Sequence, residues 1–137
     1  MARVLGIDIG TVRVGLAVSD PEGVLAQPLD VVPRERATDE IADRTRELDV
    51  GEVVVGIPLR LDGSHGPEAD AAEDFARSLE ALLDVPVARW DERLSTKGAE
   101  RSMRAAGVTA RKQRGSVDKV AAALVLQSFL DHRRTRT

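Results

Sequence analysis

The chain has 137 residues, 42% hydrophobic and 31% charged, with a formal net charge of −3. That suits a single soluble domain over residues 1–137, able to bury a core without staples. Cysteine is absent, which excludes disulfides, thiolate metal sites, a cysteine nucleophile and iron–sulfur clusters. No apolar run approaches the ~20 residues of a membrane helix. Met1-Ala2-Arg3-Val4 runs straight into a strand-like segment without signal-peptide form, so the expectation is a cytoplasmic protein with no membrane partner.

Residues 4–9 are apolar and rich in β-branched side chains and read as a buried strand. Residues 12–19 form a second strand across a tight turn at Gly10-Thr11. Asp20-Pro21-Glu22-Gly23 is a turn, and residues 24–32 a third strand, placed at a sheet edge by Pro28. Thr38 is expected to cap a helix whose first turn holds Asp39 and Glu40. Residues 52–57 then form a strand apolar on both faces. Pro67 opens a helix with apolar spacing from Ala69 to Leu83, and residues 85–90 form a fifth strand. Ser95 is expected to cap a helix ending at Gly107. A basic loop at 109–115 leads into a final helix over 116–130. The order β-β-β-α-β-α-β-α-α predicts a mixed sheet covered by helices.

Asp8 stands inside the first strand, where a carboxylate is costly unless it is paired or binds a cation. Asp91 and Glu92 end the fifth strand, and neighbours on a strand face opposite ways. Asp91 shares its side with Arg89, an expected ion-pair partner, which leaves Glu92, beside Ala88 and Trp90, as the inward acid. Asp118 falls in the first turn of the last helix, on a stripe with Ala122, Val125 and Phe129. A first-turn acid is favoured there by the helix dipole alone.

His65 and His132 are far apart, which argues against zinc, and the remaining oxygen ligands favour Mg²⁺ or Mn²⁺. Basic residues flank each acid: Arg13 near the first turn, Arg93 and Lys97 beside Glu92, and Arg111, Lys112 and Arg114 before Asp118. The loop holding Gly63 and Ser64 leads into a helix N-terminus and offers backbone N–H groups to phosphate. That arrangement suits a phosphodiester held over a metal site. Aromatic residues are scarce (Phe75, Trp90, Phe129), which disfavours a base-stacking platform of the RRM or OB type.

LGIDIGTVRVG at 5–15, VVVGIPLRLDGSHG at 53–66, DERLST at 91–96 and DKVAAALVLQSFLD at 118–131 together resemble the YqgF/RuvX family, in order and over almost the whole chain. That family is named for cleavage of precursor 16S rRNA and for likeness to Holliday-junction resolvases. The resemblance implies an α/β ribonuclease-H-like fold: a five-stranded mixed sheet, its first three strands antiparallel, with helices on both faces. It also implies a metal-dependent nuclease of two-metal-ion type, with Asp8 as first-strand acid and Asp118 on the last helix. Many members of the wider superfamily carry the second acid at the end of the fourth strand, which here reads Gly56-Ile57-Pro58. The DER motif is expected to replace it through Glu92, with Asp91 in reserve. Thr11, Arg13, Gly63, Ser64, Arg93, Lys97, Arg111, Lys112 and Arg114 are expected to meet nucleic acid.

The expected substrate is the 5′ end of precursor 16S rRNA on the small ribosomal subunit. Branched or single-stranded DNA is the alternative substrate, and a non-catalytic RNA-binding assembly factor the alternative function. Asp8-Ile9-Gly10-Thr11 also resembles the phosphate-contacting turn of the sugar-kinase, actin and Hsp70 superfamily, which would make the chain an ATPase. Oligomeric state, monomer or homodimer, stays open.

Overall fold

The structure, a computed structural model, describes residues 2–95 and 117–135, the latter with backbone alone at 117–119 and 135. Five strands form one sheet: β1 (Arg3–Ile9), β2 (Arg13–Ser19), β3 (Ala26–Pro33), β4 (Val50–Ile57) and β5 (Val87–Asp91). Their order is β3-β2-β1-β4-β5. β1, β2 and β3 pair antiparallel, while β4 runs parallel to both β1 and β5. The edge position of β3 accommodates Pro28, as its missing N–H requires.

The side-chain alternation of the strands divides the core in two. Leu5, Ile7, Val14, Leu16, Val53, Val55 and Ile57 face the helices α1 (Ala37–Glu47) and α2 (Pro67–Leu82). Val4, Ala17 and Val54 face α3 (Val117–Thr135), against Ala122, Ala123, Leu126 and Leu130. This is the expected five-stranded mixed sheet with helices on both faces. Among the described residues no helix is long and apolar enough to cross a membrane.

Small residues bring α3 close to the sheet. A Cβ on Gly6 would stand 2.6 Å from Leu126 Cβ and 3.2 Å from the Ala122 carbonyl oxygen. Gln127 locks the far end of this helix to β3: its Oε1 accepts the Ala26 N–H at 2.8 Å, and its Nε2 donates to the Val24 carbonyl at 3.0 Å. Ala122 lies over Gly6 and Arg133 reaches Glu52 near the start of β4. The first turn of α3 therefore lies towards the Asp8 end of β1.

Several boundaries differ from expectation, each for a local reason. β3 begins at Ala26, not 24, because the Asp20 carboxylate accepts the N–H groups of Val24 and Leu25 at 2.8 and 2.7 Å and keeps them in the turn. Thr38 is not a cap. A 3₁₀ turn over Arg34–Arg36 delivers the chain, the Ala37 N–H bonds the Arg34 carbonyl, and α1 starts at buried Ala37. β5 starts at Val87, after Pro86, whose carbonyl accepts the Val53 N–H at 2.9 Å. α3 runs on to Thr135. The helix expected after Ser95 and the basic loop at 109–115 lie outside the described residues, as do Lys97, Arg111, Lys112 and Arg114.

Candidate active site

Asp8 sits one residue from the end of β1, paired with Gly15 of β2. The preceding Ile7 is in register with Val55 of β4, so Asp8 comes level with Gly56, which is itself in register with Trp90 of β5. Asp8, Gly56 and Trp90 thus form one row on the α3 face of the sheet.

β5 stops at Asp91, and Glu92 opens a 3₁₀ turn (Glu92–Leu94) instead of ending the strand. The turn swings the Glu92 side chain back over the sheet. A Cβ on Gly56 would stand 2.7 Å from Glu92 Oε2 and 3.0 Å from its Cγ. The carboxyl therefore fills the space above Gly56, beside Asp8. Burial pushes the Glu92 carboxyl up, and the Asp8 charge, a hydrogen bond with the Asp8 carboxyl and the Asp91 charge push it further, to about 8. At neutral pH the Glu92 carboxyl keeps its proton, from a turn after β5 beside the Asp8 of β1.

Asp91 points elsewhere. Its carboxylate accepts the Arg93 N–H at 2.9 Å, capping the turn, and binds the Arg93 guanidinium at 2.7 Å. That guanidinium holds the Asp91 carboxyl below the usual carboxylate range, against the opposing effect of burial. The expected Asp91–Arg89 pair does not form. Arg89 faces α2 and reaches Glu73 and Glu80 at 2.7 and 2.8 Å, two acids seven residues apart on that helix.

Arg93 also donates to the Leu61 carbonyl at 3.1 Å and lies 3.5 Å from where a Gly63 Cβ would be. It joins the loop over 58–66 to the end of β5 and lies beside Gly63. Gly63 has φ +86°, a conformation that favours glycine. Ser64 is held by Asp62, through both its N–H and its hydroxyl. His65 Nδ1 lies 3.6 Å from Asp70. Thr11 lines a hollow of about 290 Å³ with Gly10, Arg34, Pro67 and Glu68. Arg34, which sequence reasoning missed, donates to the Gly10 carbonyl at 2.9 Å. Arg13 lies at the start of β2, opposite Pro33.

Two half-buried carboxyls side by side repel each other when both are ionised. A proton on Glu92 relieves that repulsion, as a bound divalent cation would. The donors are carboxylate oxygens, which fit a hard ion. Among the described residues no group of three metal-ligating side chains forms. Asp118 is the second residue of α3, and its side chain lies outside the described residues.

The model of the RuvX family, described as a Holliday junction resolvase, matches residues 2–132. The chain belongs to the RuvX family. A protein of Syntrophus aciditrophicus named "Putative pre-16S rRNA nuclease" is 48% identical, over 94% of this chain and 88% of its own length. One of Anaeromyxobacter sp. strain K with the same name is also 48% identical, over 96% and 98%. Among solved structures, Thermus thermophilus RuvC in complex with a Holliday junction substrate superposes with a TM-score of 0.67. It is 18% identical, over 98% of this chain and 96% of that one. That likeness fixes the fold of this RuvX member, which is the ribonuclease-H-like sheet of the RuvC resolvases.

Proposed function

We propose that this RuvX protein is a divalent-metal-dependent nuclease that hydrolyses phosphodiester bonds in precursor 16S rRNA during maturation of the small ribosomal subunit. The observation that carries the reading is the Glu92 carboxyl held over Gly56 and hydrogen-bonded to Asp8. The names of relatives near half identity supply the RNA substrate.

In this reading Asp8, Glu92 and Asp118 hold the ion. Bound Mg²⁺ or Mn²⁺ supplies Lewis-acid polarisation of the phosphate and a water acidified towards neutrality. Glu92 would have to give up its proton for an ion to bind, so ion binding would compete with protonation. Asp91 caps the turn that aims Glu92 and serves as the reserve ligand. Thr11 and Arg13 at the β1–β2 turn, and Gly63 and Ser64 in the loop that Arg93 anchors, meet the sugar–phosphate backbone. We propose that Lys97, Arg111, Lys112 and Arg114, which lie outside the described residues, meet the same nucleic acid.

The test is cleavage of labelled precursor rRNA, linear single-stranded DNA and a four-way DNA junction by wild-type and Asp8→Asn protein, with Mn²⁺ or with chelator. The expected result is cleavage of the RNA that both chelator and Asp8→Asn abolish. Preferred cleavage of the junction would move the substrate to branched DNA. RNA binding without cleavage, unchanged by Asp8→Asn, would overturn the nuclease reading in favour of an assembly factor.

A further inference from the structure

We propose that the buried hydroxyl of Ser128 is a positioning group that sets the Glu92 carboxylate against Asp8, an inference that rests on the nuclease reading above. Ser128 lies on α3 and is 8% exposed. Its Oγ donates to the Leu94 carbonyl at 2.7 Å and accepts the Trp90 indole N–H at 3.0 Å. Leu94 closes the 3₁₀ turn that begins at Glu92, and the next N–H, of Ser95, bonds back to the Glu92 carbonyl at 3.0 Å. Asp91 fastens one end of this turn, and Ser128 fastens the other.

Among the described residues these are the only side-chain hydrogen bonds that join α3 to β5 and its turn. They matter because Glu92 is not carried by the sheet. A strand residue would take its direction from the ladder, whereas a three-residue turn takes it from whatever holds its two ends. The helix that holds this turn also carries Asp118, ten residues or ~15 Å nearer its N-terminus. One hydroxyl thus ties the element bearing the second acid to the element bearing the third. Trp90, in register with Gly56, braces the same oxygen from the sheet. The single hydroxyl proton is committed to Leu94 and one lone pair to the indole, so turning the hydroxyl to follow a slipped turn would break one of the two bonds.

Gln127 provides the control. It is also buried on the same helix and hydrogen-bonds the backbone, but at Ala26 in β3 and at Val24 just before it, a segment that bears none of the candidate acids. A merely structural role for Ser128 predicts that the two residues behave alike.

The test compares Ser128→Ala, Ser128→Thr and Gln127→Leu with wild type by calorimetric Mn²⁺ binding without substrate, kcat and KM for cleavage, melting temperature and emission of Trp90, the only tryptophan. Ser128→Ala is expected to weaken Mn²⁺ binding and to lower kcat by about 10-fold each, with KM for nucleic acid unchanged. Its tryptophan emission shifts as the indole loses its partner. Ser128→Thr restores all three. Gln127→Leu melts lower yet keeps Mn²⁺ affinity and kcat within about twofold of wild type.

Should Ser128→Ala fail to fold, Ser128→Cys, with its weaker donor, carries the same comparison. Ser128→Ala within about twofold of wild type, or Gln127→Leu equally impaired, overturns the inference while leaving the nuclease reading intact. Wild-type protein that neither binds Mn²⁺ nor cleaves overturns both.

Discussion

The carboxyl of Glu92 occupies the space that a side chain on Gly56 would fill. Gly56 lies in β4 and Glu92 in the turn that follows β5, and the absence of a side chain on one is what admits the acid of the other. In the proposed site this is how the acid after β5 would take the place of one at the end of β4: its carboxyl reaches the row of Asp8 over Gly56.

Gly56→Ala tests this directly. Its new Cβ would stand within 3.0 Å of Glu92 Cγ and Oε2, so something must move. What moves most cheaply is the end of the Glu92 side chain, not the backbone. Stability is expected to change by less than about 1 kcal/mol, since the strand gains a residue with lower backbone entropy. Cleavage is expected to fall by at least ~10²-fold, because a shift of about 1 Å in a reacting group costs that much. Melting curves and single-turnover cleavage on the same preparation check both halves. A melting point that collapses along with the rate would place the cost in the sheet instead.

Gly6→Ala makes the opposite kind of prediction. Its Cβ would meet Leu126 Cβ at 2.6 Å and the Ala122 carbonyl oxygen at 3.2 Å, neither of which can step aside without moving α3. Overpacking of this kind costs roughly 1–3 kcal/mol. The melting temperature should fall by about 4 °C or more, given the ~4 °C per kcal/mol of a chain this size. Because α3 also carries Asp118 and Ser128, cleavage should fall with it. Calorimetry and cleavage at a temperature well below the transition separate the two effects.

Much of this architecture was legible in the sequence because it rests on local periodicity. The all-apolar β4 needs cover on both faces, Pro28 needs an edge, and an acid inside an apolar strand, Asp8, needs a reason. Even the inward direction of Glu92 follows from counting, although it is reached through a turn rather than the end of the strand. What the sequence hid depends on register between segments far apart in the chain. Gly56 reads as an ordinary strand glycine until β4 and β5 are aligned residue by residue. Arg89 and Asp91 look like natural partners two residues apart, yet one faces α2 and the other bends to cap a turn. Ser128 looks like any small polar residue on a helix. Asp118 was legible as an acid at a helix start, and the nuclease reading gives it the third place in the site.

Arg93 supplies a prediction about substrate contact. Its guanidinium is already balanced by Asp91 and anchored on the Leu61 carbonyl. A basic residue so engaged releases few counterions from nucleic acid when it binds. Arg93→Met is therefore expected to change the slope of log affinity against log salt by well under the ~0.7–0.9 of a full phosphate contact. Its main effect should be on the loop that carries Leu61, which is 95% exposed at its tip. Limited proteolysis should cut the variant there faster than wild type. A salt slope reduced by a full contact would show instead that Arg93 leaves Asp91 for the substrate.

The proton on Glu92 makes stability without metal depend on pH in a definite direction. The Glu92 carboxyl titrates near 8 in the folded chain, against an ordinary value of 4.5. Below about pH 4.5 both folded and unfolded chains carry the proton, and the pair costs nothing extra. Between 4.5 and 8 the unfolded chain gives up its proton while the folded chain retains it, so stability falls as pH rises. Above 8 the full repulsion with Asp8 is present. Glu92→Gln removes this contribution, so with chelator present its melting temperature should exceed that of wild type by a few degrees at pH 8.5, since ~1 kcal/mol is worth about 4 °C. At pH 5 the gap should nearly close. Mn²⁺ should reverse the order above neutrality, stabilising wild type and leaving Glu92→Gln nearly unchanged, because an ion that binds only the folded state adds its binding energy to stability. Melting curves of both proteins across pH 5 to 9, with chelator and with Mn²⁺, measure the whole pattern. Parallel pH profiles for the two proteins would mean that the Glu92 carboxyl does not keep its proton at neutral pH.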